Sequence, residues 1–478
     1  MTEKRRRWLI VIGLVVVLVG MVGITAWYKL FREEPQLFAS VEEAFKYGSI
    51  GNENDEGIPY YVWLILPRAF PEYLPPGGVG YLSLGMAWEE GRETPVGFSK
   101  KTIGFPRLGF NCAACHTATY RTSATSARVI VPTGPSSTFD VQGYVRFLAS
   151  CAQDPRFSAD YLLPFVEYNF DLSLVDKLLY RFVIIPRLRE GLLEQSARYS
   201  WTYERPAWGP GRIDPFNPIK FHEDLLGLDP ATDSTIGNAD MQPLWAMAEQ
   251  DGYSLHRDGL NTSLTEVVLS GAIGNGARPK TLPFEHLAEL EAYLRVVQPP
   301  EYPFGRAPNE LVDAGGRVFQ AECSACHGLG GSRTGTVIPI AEVGTDRHRL
   351  DMWTQEAATR YNAYADDEDW DFVAYVKTDG YVAKPLTGIW LQAPYLHNGS
   401  VPTLEDLLLP PLERPPTFYR GYDVYDRVKT GFVHDEAAAV HGFLFDISVT
   451  GNSNGGHEYG TELSPEEKRA LVAFLRTL

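Results

Sequence analysis

The chain has few cysteines for its length. Only five cysteines and six methionines occur among its 478 residues. An exported protein that depends on disulfides carries many more cysteines, so a disulfide framework is excluded as the basis of the fold. Four of the five cysteines occur in two close pairs, whereas Cys151 stands alone. We predict that Cys151 is a small buried side chain.

An excess of positive charge is also missing. The formal net charge is −17 at pH 7, and the pI is near 5.1. Basic residues cluster only near the N-terminus, at Lys4, Arg5, Arg6 and Arg7. A surface that binds nucleic acid needs a basic patch, so nucleic acid is excluded as a partner of the main body of the chain.

Long apolar runs are absent except at the N-terminus. Residues 8–28 form an uncharged stretch that is long enough to cross a bilayer of about 30 Å. Because the basic cluster precedes this stretch, the positive-inside rule places the N-terminus in the cytoplasm. A cleaved signal peptide is the alternative, but the run is longer than a typical signal and lacks a small-x-small site at its end. We predict that residues 1–35 are a basic tip and a single-pass anchor in a bacterial inner membrane, with the rest in the periplasm.

Two C-x-x-C-H motifs hold the paired cysteines. Thiols three positions apart can each form a thioether with one porphyrin, and the adjacent histidine can then bind the iron. A redox dithiol would not need that histidine, and a zinc site would need further cysteines that the chain lacks. The motifs therefore predict two covalently bound haem c groups. Haem 1 would be held by Cys112, Cys115 and His116, and haem 2 by Cys323, Cys326 and His327.

The segments around the second motif predict a cytochrome-like frame. A helix is expected over residues 310–320, where Gly315 and Gly316 would let another helix approach closely. Ser464 and Glu467, with a proline between them, form a capping box that begins a C-terminal helix. We expect these two helices to pack across each other beside haem 2.

A weak internal repeat predicts two related halves. Residues 290–295 resemble residues 471–476, and the proline-rich stretch 299–308 lies between the halves. We predict a mainly α fold with two cytochrome c-like haem domains, at residues 36–298 and 305–478. Long irregular loops are expected within both domains, such as residues 410–433.

The far side of haem 2 is predicted to be occupied by a histidine. No methionine follows Met352, so a ligand pair of histidine and downstream methionine is not expected. His457 lies in a loop rich in glycine and asparagine that can approach a porphyrin closely, and it is our predicted ligand. His397 is the alternative. Surface or structural roles are expected for His348, His434 and His441.

Haem 1 is predicted to have an open side. After His116 the next histidine is His222, and the nearest downstream methionine is Met241. No nearby loop offers an evident sixth ligand. An iron with a free position can bind peroxide or dioxygen, whereas an iron with two protein ligands mainly passes electrons. The asymmetry predicts a reactive haem 1 and a relay at haem 2.

Five further sequence motifs occur at residues 109–112, 132–140, 258–264, 393–404 and 452–460. Together they resemble a known family, the rubber-oxygenase-like dihaem c-type cytochromes, which are relatives of bacterial dihaem cytochrome c peroxidases. The resemblance implies two cytochrome-like domains, a reactive N-terminal haem and a C-terminal haem ligated by two histidines, in agreement with His327 and His457. It also leaves open a calcium ion between the domains.

The sequence departs from the peroxidase-type relatives at Arg257. In those relatives a tryptophan precedes the Asp-Gly pair and lies between the haems, whereas Arg257 precedes Asp258 in this chain. Trp245 could serve as the bridge instead. Arg257 could act on haem 1 electrostatically, or it could pair with Asp258 or a haem propionate and hold the loop. The candidate catalytic residues are therefore His116, Arg257 and Trp245.

The leading functional hypothesis is a periplasmic dihaem oxidoreductase. It would act at haem 1 on peroxide, dioxygen or an oxidisable small molecule, while haem 2 relays electrons from a redox protein or a small donor. Rubber cleavage is not expected, because an anchored enzyme cannot readily reach an external polymer. The alternative is a non-catalytic electron-transfer cytochrome. A haem-based sensor is a weaker third hypothesis, since only seven residues precede the apolar run.

Overall fold

The computed structural model describes residues 3–76, 78–440 and 442–478. It begins with helix α1 (Glu3–Leu30), whose 28 residues correspond to about 42 Å at 1.5 Å per residue. Within the described part of the chain, α1 is the single helix whose length and apolar composition would let it cross a membrane. This agrees with an anchor and also with a signal sequence.

The first half of the chain combines helices with short antiparallel strands. Strands β1, β3 and β2 form a three-stranded sheet in that order, and β4 pairs with β5 and β6 with β7. The helices are α2 (Val41–Tyr47), α3 (Tyr60–Ala69), α4 (Val141–Gln153), α5 (Ala159–Asn169), α6 (Leu174–Leu179), α7 (Ile185–Arg198), α8 (Asn217–Phe221), α9 (Leu264–Gly274) and α10 (Phe284–Val296). The strands are β1 (Ile58–Pro59), β2 (Phe98–Ile103), β3 (Phe105–Phe110), β4 (Thr117–Tyr120), β5 (Val129–Pro132), β6 (Arg212–Ile213) and β7 (Ala239–Asp240).

The second half has fewer residues in regular structure. Its strands form three two-stranded ladders, β8 with β9, β10 with β13 and β11 with β12. The helices are α11 (Asn309–Glu322), α12 (Ser324–His327), α13 (Ile340–Val343), α14 (His348–Met352), α15 (Gln355–Asn362), α16 (Leu404–Leu407) and α17 (Pro465–Leu475). The strands are β8 (Val337–Pro339), β9 (Gly380–Val382), β10 (Thr417–Arg420), β11 (Tyr425–Asp426), β12 (Gly431–Phe432) and β13 (Phe443–Asp446). Residues 410–433 were expected to form a long irregular loop, and most of them are irregular, but the short strands β10, β11 and β12 also lie there.

An aromatic core fills the first half. Trp63 has no exposed surface, stacks on Tyr81 with ring centres 4.1 Å apart, and donates its indole N–H to the hydroxyl of Tyr144 at 3.0 Å. Cys151 on α4 lies in the same core with no exposed surface, as predicted. This core supports β2 and β3, which lead into the first C-x-x-C-H motif.

The predicted pair of helices in the second half is confirmed. Helix α17 begins at Ser464, which forms a capping box with Glu467, and it packs directly against α11. A Cβ atom on Gly315 would collide with the backbone carbonyl of Ala470, so only glycine allows this close crossing. Phe319 and Phe474 complete the contact, with ring centres 5.2 Å apart.

The internal repeat has a structural counterpart. Helix α10 packs against α2 in the first half, and the rings of Phe45 and Tyr293 meet with centres 5.9 Å apart. Tyr293 and Phe474 occupy the same place in the two repeated sequence stretches, residues 290–295 and 471–476. Each half therefore has one helix that closes over another through an aromatic pair.

Each half of the chain contributes side chains to a hydrophobic core of the other half. Trp353, Tyr361 and Tyr375 of the second half belong to the same core as α9 and α10, while Tyr120 and Trp245 of the first half pack in the core around α17. The proline-rich stretch 299–308 also takes part, since its aromatic rings pack against the second half. The division into domains at residues 298 and 305 stays a prediction.

Candidate haem sites

The first motif is held in place by Asn111. This residue follows β3, and its side-chain oxygen accepts a hydrogen bond from the amide of Ala113 at 3.0 Å, which caps the short turn Cys112–Ala114. Its side-chain amide donates to the carbonyls of Lys46 and Gly48, at the end of α2. The motif is thereby attached to the helix pair of the first half.

A cavity of about 330 Å³ adjoins this motif. Its size lies in the range of pockets that enclose a drug-sized ligand, roughly 300–1,000 Å³. Cys112, Cys115 and His116 form part of the wall. Much of the remaining wall is apolar or aromatic and includes Phe98, Phe110, Val141, Tyr144, Leu264 and Ile273. An apolar cavity lined by both thiols and the histidine fits a covalently attached porphyrin.

His116 has the hydrogen bond expected of a haem ligand. Its Nδ1 lies 2.6 Å from the carbonyl oxygen of Gln242, so Nδ1 must carry the proton and donate, which leaves Nε2 free for a metal. Burial lowers the pKa of His116 to about 4, so the imidazole is neutral at physiological pH. A neutral imidazole is the form that ligates iron.

The thiols of the first motif do not have the character of a redox dithiol. Burial raises the pKa of Cys112 to about 11 and that of Cys115 to about 12. A reactive dithiol needs at least one thiol whose pKa is lowered. In the described ranges, no group of three or more His, Cys, Asp or Glu side chains is placed to hold a metal ion. The geometry therefore favours haem attachment over a dithiol or a zinc site, and it provides no such carboxylate cluster for calcium.

The second motif repeats the arrangement. Nδ1 of His327 lies 2.7 Å from the carbonyl oxygen of Lys384, so His327 also donates through Nδ1 and keeps Nε2 free. The ring of His457 faces it, with ring centres 6.2 Å apart. Two imidazoles that bind one metal ion from opposite sides, at about 2 Å each, have centres roughly 6 Å apart. The spacing between His327 and His457 fits an iron ion between them.

His457 is held in an unusual conformation. Its φ angle is 46°, in the left-handed region, and its amide donates to the carbonyl of Val343 at 2.8 Å. A Cβ atom at the preceding residue, Gly456, would collide with the backbone at Gly344 and Thr345. The loop therefore lies close against the residues around Gly344, and it presents His457 to His327. Its close approach to a porphyrin stays a prediction.

The other histidines of the second half are placed elsewhere. His397 is buried and stacks on Tyr381 with ring centres 4.0 Å apart. His348 lies 2.9 Å from the carboxylate of Asp346, and Nδ1 of His434 lies 3.0 Å from the carbonyl oxygen of Phe432, at the end of β12. His441 lies outside the described residues. His457 thus stays the preferred predicted ligand of haem 2.

Sequence reasoning missed His256 beside haem 1. His256 lines the cavity together with His116, and its buried Nε2 has no hydrogen-bond partner. His222 and Met241 line the cavity as well, but His222 contacts the guanidinium of Arg278 at 3.0 Å. His256 is therefore the candidate histidine for the far side of haem 1.

The loop that carries His256 has a counterpart in the second half. Leu255 bonds to Asn261 across a short loop, and Tyr395 bonds to Val401 across a matching loop. His256 and Leu396 occupy equivalent positions, both with left-handed φ angles of 62° and 67°. In both residues 255–264 and residues 395–404, the fifth residue is a glycine. Four positions after that glycine comes the residue that caps the next helix.

Arg257 supports the segment that holds His116. Its guanidinium donates to the backbone carbonyls of Asp240 and Met241, both at 2.9 Å, next to the carbonyl of Gln242 that holds His116. Asp258, one of the two partners considered for Arg257, pairs with Arg349 at 3.1 Å, while Arg257 lies 3.9 Å from the carboxylate of Asp240. A contact of Arg257 with a haem propionate stays a prediction. The contacts make Arg257 a positioning residue for the segment that orients His116.

Trp245 lies between the two motifs. It is buried beside β4, which follows the first motif, and its indole N–H donates to the carbonyl of Thr387 at 2.9 Å. Thr387 lies three residues after Lys384, whose carbonyl holds His327. The placement agrees with a bridge between the haems, and that role stays a prediction.

A chain of hydrogen bonds joins the two proximal histidines. His116 donates to the carbonyl of Gln242, and the side-chain oxygen of Gln242 accepts from the ammonium of Lys384 at 3.0 Å. The carbonyl of Lys384 then accepts from His327. Desolvation lowers the pKa of Lys384 to about 7. Gln242 and Lys384 thus connect His116 to His327.

The comparisons with known proteins agree with a cytochrome. Residues 380–420 match the family described as RoxA-like, cytochrome c-like. This stretch includes Lys384 and His397. The match indicates a cytochrome c-like domain in the chain, and covalently bound haem c is the cofactor of such a domain.

Two curated relatives come from Sinorhizobium fredii and are described as uncharacterized proteins. The protein y4iJ is 50% identical over 107 residues, which are 20% of this chain and 18% of the relative. The protein y4iM is 30% identical over 214 residues, which are 38% of this chain and 48% of the relative. The chain thus spans less than half the length of each of these relatives.

A solved structure of the hydrazine synthase of Kuenenia stuttgartiensis also matches. The TM-score is 0.24 at 15% identity, over 51% of this chain and 73% of that chain. A similarity this low transfers no structural detail to this protein.

Proposed function

We propose that this protein is a membrane-anchored dihaem c-type cytochrome oxidoreductase that faces the periplasm. The reaction site is the cavity at His116, and the site between His327 and His457 relays electrons. The observation that carries the proposal is the asymmetry of the two sites. The first motif adjoins a cavity of about 330 Å³, whereas a second imidazole faces the histidine of the other.

The cavity residues support binding of a small oxidant. A bound haem would supply an iron centre able to bind peroxide or dioxygen. The aromatic wall excludes water, and Gln242 fixes the imidazole of His116 in one orientation. Glu56, Arg198 and Arg278 form a polar, partly exposed edge of the wall, where a small polar molecule can enter.

The connection between the proximal histidines supports the relay. Gln242 and Lys384 join the two ligands through side-chain and backbone hydrogen bonds, and Trp245 lies next to this connection. An electron that arrives at the second site has a short, bonded route to the first. The donor would be a redox protein or a small molecule.

A second candidate function is favoured by His256. If this side chain completes the coordination of haem 1, both irons have two protein ligands and the protein is an electron carrier. The two functions differ in the spin state of haem 1, which gives a direct test.

The test is electron paramagnetic resonance and absorption spectroscopy of the full-length protein with its haems attached. We expect two covalent haems, one high-spin and able to bind cyanide and one low-spin. His457→Ala should convert the low-spin signal to high-spin, while the control His397→Ala should leave it unchanged. Two low-spin haems in the wild type, with haem 1 becoming high-spin in His256→Ala, would replace the oxidoreductase by the carrier.

A further inference from the structure

A long helical segment in the first half exposes an apolar row. Helix α6, a π turn over residues 180–184 and helix α7 follow one another without interruption from residue 174 to residue 198. One side of the segment packs on the aromatic core through Tyr180, Ile184, Ile185, Leu188 and Leu192. The other side faces outward.

The outward side is strongly apolar at its beginning. Leu174, Leu178 and Phe182 are 73%, 49% and 69% exposed. They recur every four residues, so they lie in one row along the helix. Val175 and Val183 widen the row. A row of exposed leucine and phenylalanine at helical spacing is typical of a surface that meets a partner or a lipid.

The end of α1 is fixed beside this row. Lys29, in the last turn of α1, donates to the carboxylate of Asp176 on α6 at 2.7 Å. The chain that leaves α1 is also bonded to the turn between β2 and β3, where the amide of Gly104 donates to the carbonyl of Arg32 at 2.7 Å. The place where α1 leaves the membrane is therefore next to α6.

The charges near the row suit a lipid surface. Residues 174–198 contain five basic and three acidic side chains, whereas the whole chain is acidic. Lys177 and Arg181 recur at the same four-residue spacing as the apolar row, and each is about four-tenths exposed although paired with an acidic side chain. Basic side chains beside an exposed apolar row are typical of helices that lie in the headgroup region of a bilayer.

We propose that α6 and the π turn are a second membrane contact. Leu174, Leu178 and Phe182 insert between the lipid headgroups of the leaflet from which α1 emerges, while Lys177 and Arg181 reach anionic headgroups. The contact fixes the orientation of the haem-bearing part relative to the membrane, which a single flexible anchor would leave free. This inference rests on the proposed anchoring of the chain by α1.

The test measures where spin labels lie in lipid vesicles. The full-length haem-loaded protein is reconstituted in vesicles of phosphatidylcholine with a minority of phosphatidylglycerol. Nitroxide labels are placed in turn on Leu178→Cys and Phe182→Cys. Val16→Cys in the middle of α1 is the control for lipid, and Val428→Cys, which is 74% exposed in the second half, is the control for water. Cys151 is fully buried and the motif cysteines are bonded to haem, so an unmodified protein reports background labelling.

The readout is a ratio for each label, its accessibility to oxygen divided by its accessibility to a water-soluble nickel chelate. Oxygen concentrates in lipid, so a label in lipid gives a high ratio. We expect this ratio to be roughly fivefold higher at Phe182 and Leu178 than at Val428. Ratios at both positions equal to that of Val428, with a lipid-like ratio at Val16, would overturn the second contact and leave the anchor in place. A water-like ratio at Val16 would overturn the anchor itself, and the second contact with it.

Discussion

Substitution of Gly315 by alanine should separate helices α11 and α17. The new Cβ atom would collide with the carbonyl of Ala470, so the helices must move apart or tilt. Overpacking of this kind costs about 1–3 kcal/mol, while alanine in place of glycine favours a helix by about 0.8–1 kcal/mol. Because the collision is with backbone atoms, which cannot rotate aside, the overpacking cost lies near the upper end of its range, at about 2–3 kcal/mol, and we expect a net loss of about 1–2 kcal/mol in the free energy of unfolding.

The neighbouring residue provides a matched control. A Cβ atom on Gly316 would meet the ring of Phe474 at 3.4 Å, which is an ordinary contact. Gly316→Ala should therefore keep the packing and gain about 0.5–1 kcal/mol from the reduced freedom of the unfolded chain. The two substitutions have the same chemistry and adjacent positions, so their opposite signs isolate the contact with Ala470.

The assay is guanidinium unfolding of the full-length protein in detergent. The absorption band expected of a low-spin haem at Cys323 would report on the second half, because α11 leads directly into this residue. Comparison of midpoints between the two variants removes the need for a complete two-state description. Equal stability changes for Gly315→Ala and Gly316→Ala would refute the proposed role of the close crossing.

Two further predictions concern buried charges. The side chain of Asp423 is 1% exposed and binds both Arg121 and Arg128, so Asp423→Asn should lower the free energy of unfolding by about 2–4 kcal/mol. The exposed control Asp379→Asn should lower it by less than about 0.5 kcal/mol. Equally small losses in the two variants would contradict the prediction. Arg257→Met leaves the carbonyls of Asp240 and Met241 without donors, so it should cost about 2–4 kcal/mol and shift the resonance signal of haem 1 while that of haem 2 is unchanged. Arg257→Lys should recover part of the loss, and an unchanged haem 1 signal in both variants would show that Arg257 does not position His116.

Local signals in the sequence were sufficient to predict the pair of helices, α11 and α17, that frames the second motif. The C-x-x-C-H spacing, the paired glycines of α11 and the capping box at Ser464 each act within a few residues, so they can be read without knowledge of the fold. The loop of His457 was also predictable, because its glycines and asparagines permit a close backbone approach.

The connection between the proximal histidines could not be predicted in this way. Gln242 and Lys384 hold His116 and His327 through backbone carbonyls, and any residue type supplies a carbonyl. Their role depends on the tertiary fold, which brings together segments more than 120 residues apart. His256 could not be predicted either, because its counterpart in the second loop is Leu396, and only the fold shows that His256 lines the cavity with an unpaired Nε2.

The pairing of Arg121 with Asp423 has a consequence for biogenesis. The two residues are 302 positions apart, and Thr119 and Arg128 bind the same carboxylate. Because synthesis proceeds from the N-terminus, the hairpin of β4 and β5 is finished long before its partner exists. Until Asp423 has been synthesised, Arg121 and Arg128 lack the carboxylate that they bind in the finished fold. If the haem attachment proposed at Cys112 and Cys115 follows the order of synthesis, it would take place on a first half that has not yet completed its packing against the second.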